Sequence, residues 1–327
     1  MVYVLFLILL SMLFDFMNGL RDGSNFAATV VSSHALSLSS SLWLAAVSVM
    51  LGPLIFGVTV AYTFGRNIVL PQAINIQEIL AALLAAVVWN LLTWWLSIPS
   101  SSTHAVLGGM LGAVVVGTGW DSVMKSGLDR VLISLFISPP LGLMVGYLFT
   151  KLVYLGTRYA TPRINAFFRQ VQIPSEVFLA LSYGANDAQK TMGLVPLGLV
   201  SIGWLNSFRV PLWVILLSAG MTALGIIMGG QRLIRTLGGR FYKIRPIHGF
   251  SSQFSAALVI LGAALLGGPV SSSQVITSSI LGVGSADRIN QVRWRLAGSI
   301  AESWLVTIPF CALLGGISYL SITSAVP

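Results

Sequence analysis

Apolar residues run along this chain in long blocks that do not alternate with polar ones. After the opening "VYVLFLILLSMLF" come blocks at 41–63, 77–97, 131–155, 209–229, 249–266 and 296–320, each bounded by glycine, proline or charge. A helix needs roughly 20 apolar residues to cross the hydrocarbon core of a bilayer, and these blocks have that length. A transmembrane barrel would instead show short alternating segments. The pattern predicts an all-α polytopic membrane protein. The first block has neither a basic leader nor a small-residue cleavage site, so it is expected to be a retained helix.

Polar residues interrupt the apolar blocks in two recurring groups. "GLRDGSN" at 19–25 has a counterpart in "GANDAQK" at 184–190, with Asp22 matching Asp187. "PSSSTH" at 99–104 has a counterpart in "PVSSSQ" at 269–274, and "MLGA" at 110–113 echoes "ILGV" at 280–283. Different motifs recurring in one order at nearly one offset argue for a duplicated chain. The halves are 1–155 and 175–327, joined by a basic linker, 156–174. Each proline-serine segment reads either as part of a full crossing or as the tip of a re-entrant hairpin. Hairpins are favoured, because irregular backbone at membrane depth survives only against protein or a wet cavity.

Charge adds orientation. Residues are 56% hydrophobic and only 8% charged, against about 25% charged in soluble domains. The net charge of +9 is dispersed over loops, which argues against nucleic acid as a partner. Arg158, Arg163 and Arg169 lie in the linker; Arg232, Arg235, Arg240, Lys243 and Arg245 share one loop; Arg288, Arg293 and Arg295 share another. The positive-inside rule places these segments in the cytoplasm. With the linker inside, an odd number of crossings per half leaves both termini outside and inverts one half relative to the other. Inverted repeats with interrupted helices are typical of secondary transporters, with the site near the midplane. The expected location is the plasma membrane of a prokaryote. The single cysteine, Cys311, excludes an internal disulfide and offers no zinc cluster.

The chemistry sits in the recurring groups. A carboxylate inside a membrane span is costly and functional by default; a bare helix-holding ion pair, Arg21 with Asp22 or Lys190 with Asp187, is the simpler reading. Adjacent glycines allow a broken helix. Asp22 with Asn25, and Asp187 with Asn186, would then form an oxygen cage suited to a hard cation such as Na⁺. Lys190 is a point charge suited to phosphate. The two proline-serine segments read as helix starts. A helix N-terminus attracts anions, and Ser101, Ser102, Thr103, Ser271, Ser272 and Ser273 add hydroxyls there; plain capping is the simpler reading. His104 is a substrate contact or a packed histidine. Asp15 and Glu302 are proton sites or helix–helix bonds. His34 and His248 are expected at the interface, and Trp94–Trp95 as an aromatic anchor.

"GLRDGSNFAAT" and "GANDAQKTMG" resemble the paired signatures of the inorganic phosphate transporter (Pit) family. So do "WNLLTWWLSIPSSSTHA", "PIHGFSSQFSAA", "GGPVSSSQVITSSILGVG" and "VRWRLAGSIAESWLVTIP", which cover nearly the whole chain in family order. The resemblance implies a cation-coupled phosphate symporter of two inverted repeats, usually dimeric. Carried over by position, Asp22, Asn25, Asn186 and Asp187 would be cation or phosphate ligands. The six hydroxyl residues would line the phosphate site, with Gln189 and Lys190 beside it. Arg21 stands where the family usually has asparagine, Gln253 where it has glutamate and Gln274 where it has histidine. Arg21 would then substitute for part of a coupling ion's charge and belong to the substrate site. The coupling ion, Na⁺ or H⁺, is left open by these departures. A sulfate or other oxyanion permease of the same fold, or a passive anion channel, are the alternatives. A membrane phosphatase is not expected, because none of the three histidines is followed by an aspartate four residues later.

Overall fold

The computed structural model describes residues 1–96, 98, 100–161, 163–237, 245–292 and 294–325. Pro99, Arg240, Lys243 and Arg293, which figure in the sequence reading, lie outside the described residues. Among the described residues the chain forms twelve α-helices and no strand beyond one isolated bridge, Val69–Val123. In order they are α1 (Val2–Ser32), α2 (Leu38–Phe56), α3 (Thr59–Tyr62), α4 (Ile76–Trp95), α5 (Ser102–Gly117), α6 (Lys125–Thr157), α7 (Ile164–Gly184), α8 (Gln189–Ser201), α9 (Leu212–Leu237), α10 (Pro246–Leu265), α11 (Ser272–Arg288) and α12 (Trp294–Ala325). A π-helical turn, Thr63–Asn67, continues α3. Seven helices contain stretches long and apolar enough to cross a membrane: α1, α2, α4, α6, α9, α10 and α12. The chain is a multi-pass, all-α membrane protein.

The bundle buries polar groups among apolar ones and presents an apolar surface. Phe136, Leu148 and Leu155 on α6 and Leu313, Ile317 and Leu320 on α12 face outward. Two apolar clusters fill the interior. One joins the first half of α1 to α3, α4, α5 and α8; the other joins Phe26 and Ala27 of α1 to α2, α7, α9 and α10. Helix pairing is reciprocal: α1 packs on α9 and α7 on α2, while α5 packs on α12 and α11 on α6.

Small residues make these pairings possible, since lipid-embedded helices associate by close backbone approach rather than by a hydrophobic drive. At the α1–α9 crossing a Cβ on Gly19 would strike the Thr222 carbonyl, and one on Gly23 the Ile226 carbonyl. On the facing side, Gly225 lies against Phe16 and Leu20, and Gly229 against the Leu20 carbonyl. Both helices therefore carry a glycine-xxx-glycine pair at one contact. This corrects the expectation of a broken helix in the first signature. α1 runs unbroken through residues 19–25, and its glycines serve contact rather than bending. The second signature is interrupted: α7 ends at Gly184, residues 185–188 form a turn, and α8 begins at Gln189.

The apolar block 41–63 also breaks, at Gly57, whose φ of 80° is a left-handed conformation that glycine tolerates. The α4–α5 and α10–α11 pairs are neighbours joined by short connections. The helices start at Ser102 and Ser272, each three residues beyond its proline rather than at it.

The glycine contacts generate a test. Gly23→Val or Gly229→Val should destabilise the folded protein by about 1–3 kcal/mol, the usual cost of overpacking. Gly220→Ala, where a Cβ would meet nothing within 4 Å, should cost little. Thermal unfolding of the purified variants in one detergent compares them.

Candidate functional site

The second signature lies at the centre of the molecule because the chain turns there. At 185–188 the helix stops, so the side chains of Asp187 and Lys190 project between α5 and α11 instead of along a helix face. Lys190 Nζ forms an ion pair with Asp187 Oδ1 and donates to Ser102 Oγ at 2.9 Å. Ser272 Oγ donates to Asp187 Oδ2. Ser102 and Ser272 are the first residues of α5 and α11, so two helix N-termini meet across one buried ion pair. Thr103 Oγ1 donates to the Val270 carbonyl at 2.9 Å, and Gln274 Nε2 lies 3.2 Å from His104 Nδ1. The two proline-serine segments thus touch directly. Lys190 and Thr103 are fully buried, and Asp187, Ser102 and Ser272 are nearly so.

Asp22 approaches the same centre from α1. It accepts from Tyr183 Oη at 2.9 Å and from Asn25 Nδ2 at 3.3 Å. Arg21 Nε stands 3.7 Å from its carboxylate, an ion pair without a hydrogen bond. Arg21 Nη1 donates instead to Asn90 Oδ1 at 3.1 Å, while Arg21 Nη2 and Asn90 Nδ2 are buried donors without partners. Buried polar groups are nearly always satisfied, so each of these unmatched donors leaves room for an acceptor.

The other expected site residues bond as follows. Asn186 spends its amide on the α10–α11 connection, donating to the Gly268 carbonyl and accepting from Val270 N, both at 3.2 Å. Gln189 repairs the break after α2: its Nε2 donates to the Gly57 carbonyl at 2.6 Å and its Oε1 accepts from Ala61 N at 3.0 Å. Both amides are thereby committed to backbone groups that the interrupted helices leave open. Ser101 caps α5 through His104 N. Ser271 occupies the equivalent cap of α11 and lies 3.3 Å from Ser273, which is half-buried. Glu302 is exposed on α12, away from the centre. His34 is exposed beyond the end of α1, whereas His248 is buried and 2.7 Å from Tyr154 Oη.

Tyr183 and Asn90 were not singled out from sequence. Asn90 could have been: it is a lone amide in the apolar run "AAVVWNLL", and such residues are rarely idle. Tyr183 precedes the second signature with no polar pattern of its own, and only the fold shows its hydroxyl on Asp22. A further polar seam joins α7 to α1, α2 and α10. Ser41 donates to Glu176, Ser33 to Gln172, and Ser175 to Gln253 at 2.8 Å.

The chemical set is anion-binding groups (a lysine and two serine-led helix N-termini) beside two aspartates that can hold cations or accept protons. A model of the Phosphate transporter family matches residues 18–159 and 155–315. A "probable low-affinity inorganic phosphate transporter" of Rhizobium meliloti (strain 1021) is 39% identical, over 96% of this chain and 94% of its own. A protein of that same description from Bacillus subtilis (strain 168) is 37% identical, over 98% and 97%. A solved structure titled "The sodium-dependent phosphate transporter" superposes with a TM-score of 0.93 over 99% of this chain and 100% of its own, at 22% identity, and so shares the fold. The relatives are named as transporters, not enzymes, and the chain belongs to the Phosphate transporter family.

Proposed function

We propose that the chain imports inorganic phosphate across the plasma membrane by symport with Na⁺ or H⁺, by alternating access around the Asp22–Asp187–Lys190 centre. The observation that carries this reading is the convergence of two helix N-termini, at Ser102 and Ser272, on one buried Lys190–Asp187 pair. The N-terminal amides of each helix lack intrahelical partners and carry the positive end of its dipole. With Lys190 and the hydroxyls they form a cradle for an oxyanion. Arg21 Nη2 and Asn90 Nδ2 offer further donors. Asp187 holds Lys190 and Ser272, groups that this reading gives to the anion.

The aspartates favour phosphate over sulfate. A phosphate monoanion or dianion keeps at least one P–OH that can donate to Asp22 or Asp187, whereas sulfate has only acceptors at neutral pH. The formal charge of Asp22, Asp187, Arg21 and Lys190 is zero, so phosphate enters as a net anion unless cations accompany it. A surplus cation is driven inward by roughly 2.3 kcal/mol per charge per 100 mV. The name of the structural relative, a sodium-dependent phosphate transporter, makes Na⁺ the first ion to try.

Alternating access follows from two inverted repeats, 1–155 and 175–327, around the linker 156–174. The motif offsets support the duplication, as does the reciprocal pairing of α1 with α9 and α7 with α2, and of α5 with α12 and α11 with α6. The loop charge supports a cytoplasmic linker and both termini outside. A homodimer is the assembly that the family resemblance implies.

Proteoliposomes with imposed gradients test the reading. Radiolabelled phosphate should accumulate with an inward Na⁺ or H⁺ gradient, and arsenate should compete better than sulfate. Strong sulfate uptake without gradient-driven phosphate uptake would overturn it. Arg21→Asn should raise the number of coupled cations per phosphate; an unchanged cation dependence rejects the role given to Arg21. The ion pair has its own test. Lys190→Met strands Asp187 in the core and should cost about 3–5 kcal/mol of stability. Adding Asp187→Asn should recover much of that in thermal unfolding, while phosphate uptake stays lost.

A further inference from the structure

We propose that Asp15, with Thr191, Ser218 and Asn18, forms a binding site for a monovalent hard cation, separate from the Asp22–Asp187 centre. Asp15 is 1% exposed, and no lysine or arginine among the described residues lies within ion-pair distance of it. Lys190 is nearby in sequence to Thr191 but is committed to Asp187 and Ser102. The neighbours of Asp15 are oxygens. Thr191 Oγ1 stands 2.9 Å and 2.7 Å from the two carboxylate oxygens and 3.1 Å from Ser218 Oγ.

Counting protons exposes a deficit. A carboxylate offers about four acceptor positions and each hydroxyl has one proton to donate, so Thr191 and Ser218 together can fill at most two of them. The same side of α1 carries two more buried oxygens, one of them the acceptor-only amide oxygen of Asn18. Asn18 Oδ1 and Ser11 Oγ are buried without partners, and their residues are only 2% and 3% exposed. Asn18 lies three residues after Asp15 and Ser11 four before, the spacings that put side chains side by side on a helix. A carboxylate, two hydroxyls and an amide carbonyl with too few protons among them make a ligand set for a hard cation, which prefers oxygen. One cation would satisfy the carboxylate and the stranded Asn18 carbonyl together.

The site is distinct from the centre yet mechanically joined to it. Asp15 and Asp22 are seven residues apart on one helix, about 10 Å along its axis. Thr191 follows Lys190 directly on α8, so a cation on Asp15 and an anion on Lys190 bear on the same helical turn. The geometry stands whichever oxyanion the centre carries, so the test below omits phosphate.

Purified full-length protein in phosphate-free buffer, at constant ionic strength with choline, is titrated with Na⁺ and with K⁺. Radiolabelled Na⁺ binding and thermal unfolding are the readouts. At saturation the wild type should bind one more Na⁺ than Asp15→Asn. Asn18→Ala leaves the Asp15–Thr191 bond in place and should weaken that Na⁺ about tenfold or more. The Asp22→Asn/Asp187→Asn variant should keep a saturable Na⁺ response. The proposal is overturned if Asp15→Asn and Asn18→Ala both bind Na⁺ with wild-type affinity and number. It is equally overturned if the double variant, folded, shows no Na⁺ response. Failure of the phosphate reading would appear only in the uptake assay, not here.

Discussion

The buried pair between Lys190 and Asp187 sets the terms for the rest of the molecule. A lone charge in the low-dielectric interior is too costly to keep, and the starts of α5 and α11 add two positive helix ends to the ammonium. Asp187 answers all three: it holds Lys190, accepts from Ser272, and through Lys190 is tied to Ser102. Anything that displaces it must supply an anion in its place. On the proposed reading this is how substrate and conformation become linked. A phosphate taking over Lys190 and the serines frees a carboxylate, which then needs a cation or proton. The requirement for a co-bound cation comes from the electrostatics of one ion pair and needs no separate device.

The pair can sit there only because the surrounding helices approach closely and hold still. The glycine-lined crossing of α1 on α9 fixes Asp22 on a straight helix, while the break between α7 and α8 lets Asp187 and Lys190 reach inward. The two signatures therefore share chemistry but not backbone. One presents its carboxylate from a continuous helix, the other from a turn whose open carbonyls and amides must be satisfied. Asn186 and Gln189, both in the second signature, satisfy groups on the α10–α11 connection and at the end of α2. Substituting either would remove side-chain bonds to the backbone of a neighbouring element.

This division marks how far the sequence could be read. Long apolar blocks, the paired aspartates and the hydroxyl runs at helix starts report chemistry that does not depend on tertiary detail, and they located the helices and the centre. Glycine was ambiguous: beside Asp22 it permits a broken helix or a close contact, and only the position of α9 decides for contact. The amides were ambiguous for a related reason. Spacing tells which residues share a helix face, but not which backbone groups a distant break leaves open, so Gln189 read as a substrate contact before Gly57 and Ala61 were seen beside it. Tyr183 and Asn90 gained their roles from partners more than sixty residues away.

The charge balance sharpens why coupling, rather than a passive channel, fits this interior. The chain as a whole is basic, with a net charge of +9, which on its face suits an open anion pore. The buried charges lean the other way. Among the described residues Asp15, Asp22, Glu78, Glu176 and Asp187 are buried, against only Arg21 and Lys190. Five carboxylates against two cations make a poor lining for a pore that passes free phosphate. Apart from Arg21 and Lys190, the basic residues whose burial is described are exposed, where they gather anions at the surface. On the proposed reading, the interior takes up cations or protons to approach neutrality, and more to balance phosphate once bound. Arg21 fits that balance as a fixed cation: it is 3.7 Å from Asp22, has one bond to Asn90, and keeps one guanidinium nitrogen unmatched. It offsets part of the negative charge permanently and leaves the remainder to ions that can come and go.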